Sequence, residues 1–294
     1  MEDSTALFER MRPRLFGLAY RMLGVRGDAE DIVQDAYLRW HETDRAVVRN
    51  PEAWLVAATT RMAIDRLRRL KTEREAYKGP WLPEPLLSDV PPPDRSVDLA
   101  SDLSLAFLVL LERLAPDERA AFLLHDVFDC GYPDIARILE KSEAACRQTV
   151  ARARERVRTD RKRFEATAEE KTVMLRRFMA ALDARDEQAL LSVFAADATW
   201  TADGGGRVAA SPLPIVGAPQ IVRAVLGFTR NLNIQTMRLA TVNGEPGLHV
   251  YIEGRLAAAL AVDLDGGRIA DVYAVVNPDK LAVIDPPSST SSLQ

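Results

Sequence analysis

Two clusters of guanidinium groups and one run of glycines are the features of this chain whose residue types and spacing could do chemistry. Arg61, Arg66, Arg68 and Arg69 lie in a segment, Arg61 to Lys71, that carries five bases and one acid. Arg147, Gln148, Arg152 and Arg154 lead a second segment, Arg147 to Arg163, with eight bases and two acids. Guanidinium groups neutralise phosphates, and Arg and Gln side chains read guanine and adenine edges in a major groove. The glycines are in Trp200–Arg207, "WTADGGGR", where three of the chain's 15 fall in a row between an acid and a base. Such a run can cradle a phosphate, turn a hairpin, or bare the backbone so that another segment approaches closely. The "VAASPLP" that follows is no amphipathic helix start, which disfavours the phosphate cradle. A hairpin turn and an interdomain latch, with Asp203 and Arg207 as charge partners, remain. Acid–base chemistry has only scattered candidates: Asp197, Asp203, His249, Asp263 and Asp271, with Tyr251 and Tyr273. They form no tight motif, and His249 alternates with Leu248 and Val250 as a structural histidine would. No catalytic residue, cofactor or metal site is therefore expected.

The bulk composition bounds what can surround these groups. With 47% apolar and 28% charged residues, the 294-residue chain can bury more than one core. Its net charge of −4 argues against nonspecific coating of nucleic acid, so the two basic blocks stand out as separate phosphate-facing surfaces. The longest apolar run, Leu105 to Leu111, is too short to span a bilayer, and the N-terminus lacks an apolar signal core. Cys130 and Cys146 can build neither a disulfide framework nor a zinc site alone. These features point to a reducing, cytoplasmic setting and no membrane.

Helical patterns must position both basic blocks. "ALFERMRPRLFGLAYRML" has apolar residues three and four apart, and "GDAEDIVQDAYLRWHET" follows with Asp28 as its expected N-cap. "NPEAWLVAATTRMAIDRLRRLKTERE" has Asn50 to cap it and Pro51 at its first position. Residues 76–101 hold six prolines and read as a linker, although Trp81 within "GPWLPEP" predicts that this stretch docks on something. Residues 102–163 return to helices, with a break at Pro116. From Pro133 onward the spacing is that of a helix-turn-helix, with Ser142 capping the second helix. In residues 164–285, two helices ("KTVMLRRFMAALDA", "DEQALLSVFAA") lead into strand-like segments punctuated by the glycine run, "NGEPG" and "DGG", with the helix "APQIVRAVLGF" among them. Residues 286–294 read as a disordered tail.

These motifs carry a resemblance. "DAEDIVQDAYLRW" with "PEAWLVAATTRMAIDRLRR" resembles region 2 of the extracytoplasmic-function (ECF) sigma factors of the sigma-70 family. "LLERLAPDERAAFLLHDVFDCGYPDIARILEKSEAACRQTVARARERV" resembles their region 4. The resemblance implies two all-α domains, a region 2 helical bundle over 1–75 and a region 4 helix-turn-helix over 102–163. It implies that Asp28, Asp31, Gln34 and Asp35 dock on the polymerase clamp. Arg61, Arg66, Arg68 and Arg69 would meet the −10 promoter element, and Arg147, Gln148, Arg152 and Arg154 the −35 element, with Trp54 in the core. Two positions depart from the family pattern: Arg61 replaces a common asparagine, and Glu140-Lys141 replaces the usual glycine and apolar residue of the turn. A non-glycine residue at positive φ costs about 1 kcal/mol, so a wider or docked turn is expected.

The remaining third resembles a SnoaL-like, nuclear transport factor 2-like cone, an α+β fold with a curved sheet around a cavity. Sigma factors with this extension form a recognised group, the SigJ type, marked by three motifs. Here they read Trp81-Leu82-Pro83-Glu84-Pro85, Asp203-Gly204-Gly205-Gly206-Arg207 and Asn277-Pro278-Asp279-Lys280-Leu281, with Arg207 for lysine the one departure. The resemblance implies a regulator in cis, working through Trp81, Pro83, Asp203 to Arg207, Asn277, Asp279 and Lys280. The expected partners are the RNA polymerase core (clamp and flap) and promoter DNA, with room for a small-molecule ligand in the cone and no separate anti-sigma protein. The competing expectation is a SnoaL-like enzyme or ligand-responsive regulator brought to DNA without the polymerase. The acidic docking helix argues against it.

Overall fold

The computed structural model describes residues 4–44, 47–88, 103–161, 166–231 and 234–282, in two compact units. The first comprises Met1–Ala76, Val97–Leu103 and Phe107–Asp160; the second comprises Tyr77–Ser96, Ser104–Ala106 and Arg161–Gln294. The expected tail, 286–294, lies outside the described residues.

The first unit is all helical. Helices α1 (Ser4–Leu23), α2 (Arg26–Glu42) and α3 (Pro51–Glu75) enclose Leu15, Leu18, Met22, Trp40, Leu55 and Leu67. α3 starts where its sequence dictates: Asn50 Oδ1 accepts from Ala53 N at 3.0 Å, and Pro51 follows. α2 begins two residues before the expected cap. Gly24 takes φ 67, Val25 is the extended residue before the helix, and Asp28 falls inside the first turn. Its carboxylate is thus free to turn toward α3 rather than to cap a backbone N–H. Beyond these come α4 (Leu105–Glu112), α5 (Pro116–Phe122), a π-helical turn (Leu123–Val127), α6 (Tyr132–Leu139) and α7 (Glu143–Arg161). Ala115 N donates to Glu118 Oε2 at the break before Pro116, and Ala145 N donates to Ser142 Oγ at 3.2 Å at the head of α7. Ile135, Ile138, Cys146, Val150 and Ala153 close the α6–α7 core.

The two halves of this unit are joined through a buried ionic group that the sequence reading overlooked. Glu112 accepts from Arg119 Nη1 at 2.7 Å and from Arg74; Arg119 also donates to Met22 O at 2.8 Å, and Arg74 to Leu23 O at 2.6 Å. Desolvation alone would raise the Glu112 carboxyl, but the charges of Arg119 and Arg74 outweigh it and hold it below its ordinary value.

The second unit is an α+β cone. Its seven-stranded sheet runs β1 (Leu87–Ser88), β4 (Ile234–Val242), β5 (Glu245–Ile252), β6 (Arg255–Asp265), β7 (Arg268–Val275), β2 (Phe194–Asp203), β3 (Ile215–Val216). All neighbours are antiparallel except β2 and β7. Register shifts in four of these pairings bend the sheet. Asn243-Gly244 and Gly266-Gly267, all at positive φ, make the tight turns between β4 and β5 and between β6 and β7. Helices α8 (Ala168–Asp183), α9 (Glu187–Val193) and α10 (Ala218–Asn231) pack Leu175, Phe178, Leu190 and Ile221 against Leu248, Leu260 and Val262. A short helix, α11 (Pro278–Leu281), follows β7. Two expectations are corrected. The helix expected to run through Phe194 ends at Val193, because Phe194 already pairs with Ile269 in the sheet. The proline-rich segment contains a strand: Leu87 and Ser88 pair with Val242 and Thr241.

Candidate nucleic-acid interface, linker node and cavity

On α2, Asp31, Gln34 and Asp35 are exposed, whereas Asp28 is half-buried. Arg66 Nε and Nη2 donate to the two Asp28 carboxylate oxygens at 2.8 and 3.3 Å, and Arg66 Nη1 donates to Glu73 at 2.8 Å. The hydrogen bond to Asp28 raises the guanidinium pKa against a smaller desolvation effect. The structure therefore brings together two residues expected on different surfaces, as a brace between α2 and α3.

Arg61 and Arg68 of α3 face α6 and α5. Arg61 Nη2 donates to Arg137 O at 2.9 Å and Arg61 Nε to Ile138 O at 3.2 Å. Arg68 donates to Asp65 at 3.2 Å and to Asp117 at 2.9 Å, and Lys141 donates to the other Asp117 oxygen. Arg69 is exposed. The two departures from the family pattern thus meet. Glu140 takes φ 55, so the turn keeps its left-handed residue without glycine and is not widened. Arg61 holds the carbonyls that end α6, and Lys141 N donates to Ala136 O at 3.0 Å. A cleft of about 650 Å³ lies beside this contact, lined by Val48, Asn50, Trp54, Arg61, Arg137 and Ile138 among others. The Trp54 ring packs against that of Trp40, tilted by 47° with centres 5.3 Å apart, while also lining the cleft, so it is more than the core residue expected.

On α7, Arg147, Gln148 and Arg152 project to solvent. Arg147 pairs with Glu143 at 2.9 Å and lies 5.0 Å from the Tyr132 ring centre. Arg154 Nε donates to both oxygens of Asp126 on the π-helical turn, at 2.9 and 3.0 Å, which raises its pKa.

In the second unit the three linker and cone motifs converge on Asp203. This carboxylate is fully buried at the end of β2. Its Oδ1 accepts from Tyr77 Oη at 2.6 Å and Gly205 N at 3.1 Å; its Oδ2 accepts from Leu82 N at 2.8 Å and Lys280 Nζ at 2.6 Å. Asn277 Nδ2 donates to Tyr77 Oη at 3.0 Å, and Lys280 donates to Leu82 O. Lys280 also lies 4.4 Å from the Trp81 ring centre and 5.2 Å from that of Tyr77. Burial and the Asp203 carboxylate push the Tyr77 phenol up, so it remains a neutral donor. Pro83 is buried beside this node. Asp203 and Arg207 are not partners of one another: Arg207 pairs with Asp279 at 2.9 Å, both well exposed.

The glycines allow the convergence. Gly205 is at φ 58, and a Cβ there would stand 2.3 Å from Asn277 Nδ2 and 3.0 Å from Tyr77 Oη. At Gly206, φ 69, it would meet the Lys78 side chain; at Gly204 it would meet Val208 O and the Ala210 Cβ. Tyr77 and Lys78 were missed in the sequence. Their signal was weak, an aromatic and a base just before a proline-rich run.

The acid–base candidates do not gather. Asp203 is consumed by the node and Asp197 is exposed. His249 is buried, its ring edge-on to Tyr251 at 6.4 Å. Burial pushes the Asp263 carboxyl up to about 7, against Lys171 Nζ at 3.2 Å, which is shared with Glu245 at 2.6 Å. None of these residues lines the cavity of about 510 Å³ inside the cone. Among the described residues no cluster of three or more His, Cys, Asp or Glu could hold a metal ion, and no helix is long and apolar enough to cross a membrane.

Comparison with known proteins places these features. The family models described as "Sigma-70 region 2" and "Sigma-70, region 4" match residues 7–73 and 104–157. The ECF RNA polymerase sigma factor SigJ of Mycobacterium tuberculosis is 36% identical over 286 residues, covering 93% of this chain and 91% of the relative. The probable ECF sigma factor SigI of the same organism is 29% identical over 280 residues, covering 94% of each. The crystal structure of M. tuberculosis SigJ superposes with a TM-score of 0.74 at 32% identity, covering 94% of this chain and 97% of that one.

Proposed function

The chain belongs to the ECF RNA polymerase sigma factors, which direct the polymerase to promoters, and on that premise we propose how its parts divide the work. The exposed acids Asp31 and Asp35, with Gln34, dock on the polymerase core, and Asp28 sets their helix by bracing Arg66. Region 2 meets the −10 element through Arg61, Arg68 and Arg69, and region 4 meets the −35 element through Arg147, Gln148 and Arg152. Arg154 orients the π-helical turn through Asp126 until a phosphate replaces that partner. The protein works in the cytoplasm without catalysing a reaction of its own. Its activity is set in cis by the cone, without a separate anti-sigma protein.

The observation that carries the cis reading is the buried node. Tyr77 and Leu82 are bound to Asp203 and Lys280 from the cone, so the segment leading from region 2 to region 4 is part of the cone's own structure. A linker held in this way limits how far the two DNA-reading regions can separate. Run-off transcription with purified core polymerase tests the reading, comparing the full chain with Asp203→Asn and Tyr77→Phe. Altered promoter-dependent output at unchanged core affinity is expected. Output identical to the parent in both variants would remove the cis role. Failure of the full chain to bind core polymerase in a pull-down would remove the assigned docking surface. A cone enzyme targeted to DNA is not favoured, because no titratable side chain lines the cavity.

A further inference from the structure

The cavity in the cone has a volume of about 510 Å³, the size of small-molecule sites in general. Phe178, Trp200, Phe228, Met237, Val250 and Leu260 make much of its wall, and no lining side chain is ionisable. Both hydroxyls on the wall are already donated: Ser211 Oγ to Leu213 O, and Thr229 Oγ1 to Leu226 O at 3.3 Å. Such a wall offers a charged ligand no ionic partner, and burying a charge without one is strongly unfavourable. Aromatic faces and a thioether suit a flat, apolar guest.

The same wall is built next to the linker node. Side chains alternate across a strand. At the end of β2, Ala202 lines the cavity while Asp203, the next residue, belongs to the node. After β7, Val276 lines the cavity and Asn277 belongs to the node, and Val276 N donates to Asp203 O at 2.9 Å. The glycine loop repeats the arrangement: Gly205 touches the node, while Val208 to Ser211 form part of the wall. Gly204 lies against Ala210 so closely that a Cβ there would stand 2.9 Å from the Ala210 Cβ.

We infer that the cavity binds a neutral, apolar, ring-bearing small molecule, and that occupancy tightens the linker node through these adjacent residues. The binding stands on the cavity alone; its regulatory output rests on the cis reading above. Titration of the full chain with N-phenyl-1-naphthylamine, a neutral fluorescent probe, tests the binding. Its sulfonated analogue, 1-anilinonaphthalene-8-sulfonate, has the same ring frame and tests the charge selection. Saturable binding of the neutral probe at one per chain is expected, with the sulfonate at least about tenfold weaker. Ala258→Phe and Met237→Trp, made separately, should each weaken the probe by about tenfold in protein with unchanged far-UV circular dichroism. No saturable binding, equal affinity for the sulfonate, or full binding by a folded Ala258→Phe variant would overturn the site. Amide exchange at Leu82, whose N–H donates to Asp203, reads the coupling. At ten times the dissociation constant, exchange through openings that release the probe should slow about tenfold. Binding with unchanged Leu82 exchange would overturn the coupling while leaving the site. Loss of the cis reading shows separately, as transcription unaffected by Asp203→Asn in protein that still binds the probe.

Discussion

Carboxylates hold basic side chains on the exposed face of the helical unit and at the linker node of the cone, but under opposite conditions. In the helical unit, Arg68 and Asp117 keep 57% and 29% of their side chains exposed; in the cone, Lys280 and Asp203 keep 11% and none. Exposed pairs contribute under about 1 kcal/mol and are screened by salt, so they can be traded for another anion. A buried node gains little from the pairing itself, yet losing one member strands the others without water. The difference separates a surface built to exchange partners from a joint built to stay closed. Of the α3 arginines, Arg61 rests on carbonyls of α6 and Arg68 on a carboxylate of α5, and these are the contacts that the proposed function has DNA phosphates replace. The linker rests on a carboxylate that nothing in solution can reach.

Breaking the joint should therefore have the largest effect. Asp203→Ala takes the carboxylate from the part-buried Lys280 and the acceptor from the part-buried Tyr77 hydroxyl, and should cost the cone about 3 kcal/mol in urea unfolding. Added salt should leave that loss nearly unchanged. Tyr77→Phe removes one donor and should cost about 1–2 kcal/mol. A loss for Asp203→Ala no larger than that of an exposed pair would erase the distinction between the two units.

The glycine run grades the same joint more finely. Gly205→Ala places a Cβ against Asn277 and forces a left-handed alanine, which should cost about 2–3 kcal/mol. Gly206→Ala has the same backbone strain but meets only the methylenes of Lys78, which can swing away, so about 1 kcal/mol is expected. Equal losses at the two positions would mean that backbone strain alone, and no close approach to Asn277, explains the run.

A buried carboxylate elsewhere in the cone separates burial from pairing. Asp263 is pushed from 3.8 up to about 7 chiefly by desolvation, although Lys171 touches it. The folded protein thus holds a proton that the unfolded chain has released. The stability contributed by this proton is full at acid pH and declines as pH rises from about 4 to about 7. Asp263→Asn should flatten that part of the stability profile, measured as melting temperature against pH, and raise the melting temperature at pH 8 relative to pH 4 by a few degrees.

The sequence carried local structure better than long-range partnership. Asn50 before Pro51, Ser142 before α7, Pro116 and the paired turn residues Asn243-Gly244 each act within a few residues, so their effect can be read in place. Asp203 is different. Apart from Gly205, its partners lie 77, 121 and 126 residues away, and only the shared motifs hinted that those segments meet. Leu87–Ser88 looks like linker because its strand exists only by pairing with β4. The Arg74–Glu112–Arg119 group left one readable trace. Arg119 falls at an inward position directly before the buried run Ala120–Leu124, where a charge needs buried partners.

The smallest effect on stability should come from the exchangeable surface, and there the comparison is sharpest. Arg68→Ala removes an exposed, salt-screened pair and should change unfolding of the helical unit by under about 1 kcal/mol, while Arg61→Ala removes one exposed and one part-buried hydrogen bond to carbonyls and should cost about 1 kcal/mol. Promoter binding by the polymerase complex should respond differently. If each arginine gives up its internal partner for a phosphate, the slope of log affinity against log salt should fall by about 1 per substitution. An unchanged slope with an unchanged fold would mean that Arg61 and Arg68 serve α5 and α6 alone. Then Arg61 and Arg68 would be as permanently held as the linker node, and the proposed DNA contacts would rest on Arg69, Arg147, Gln148, Arg152 and Arg154.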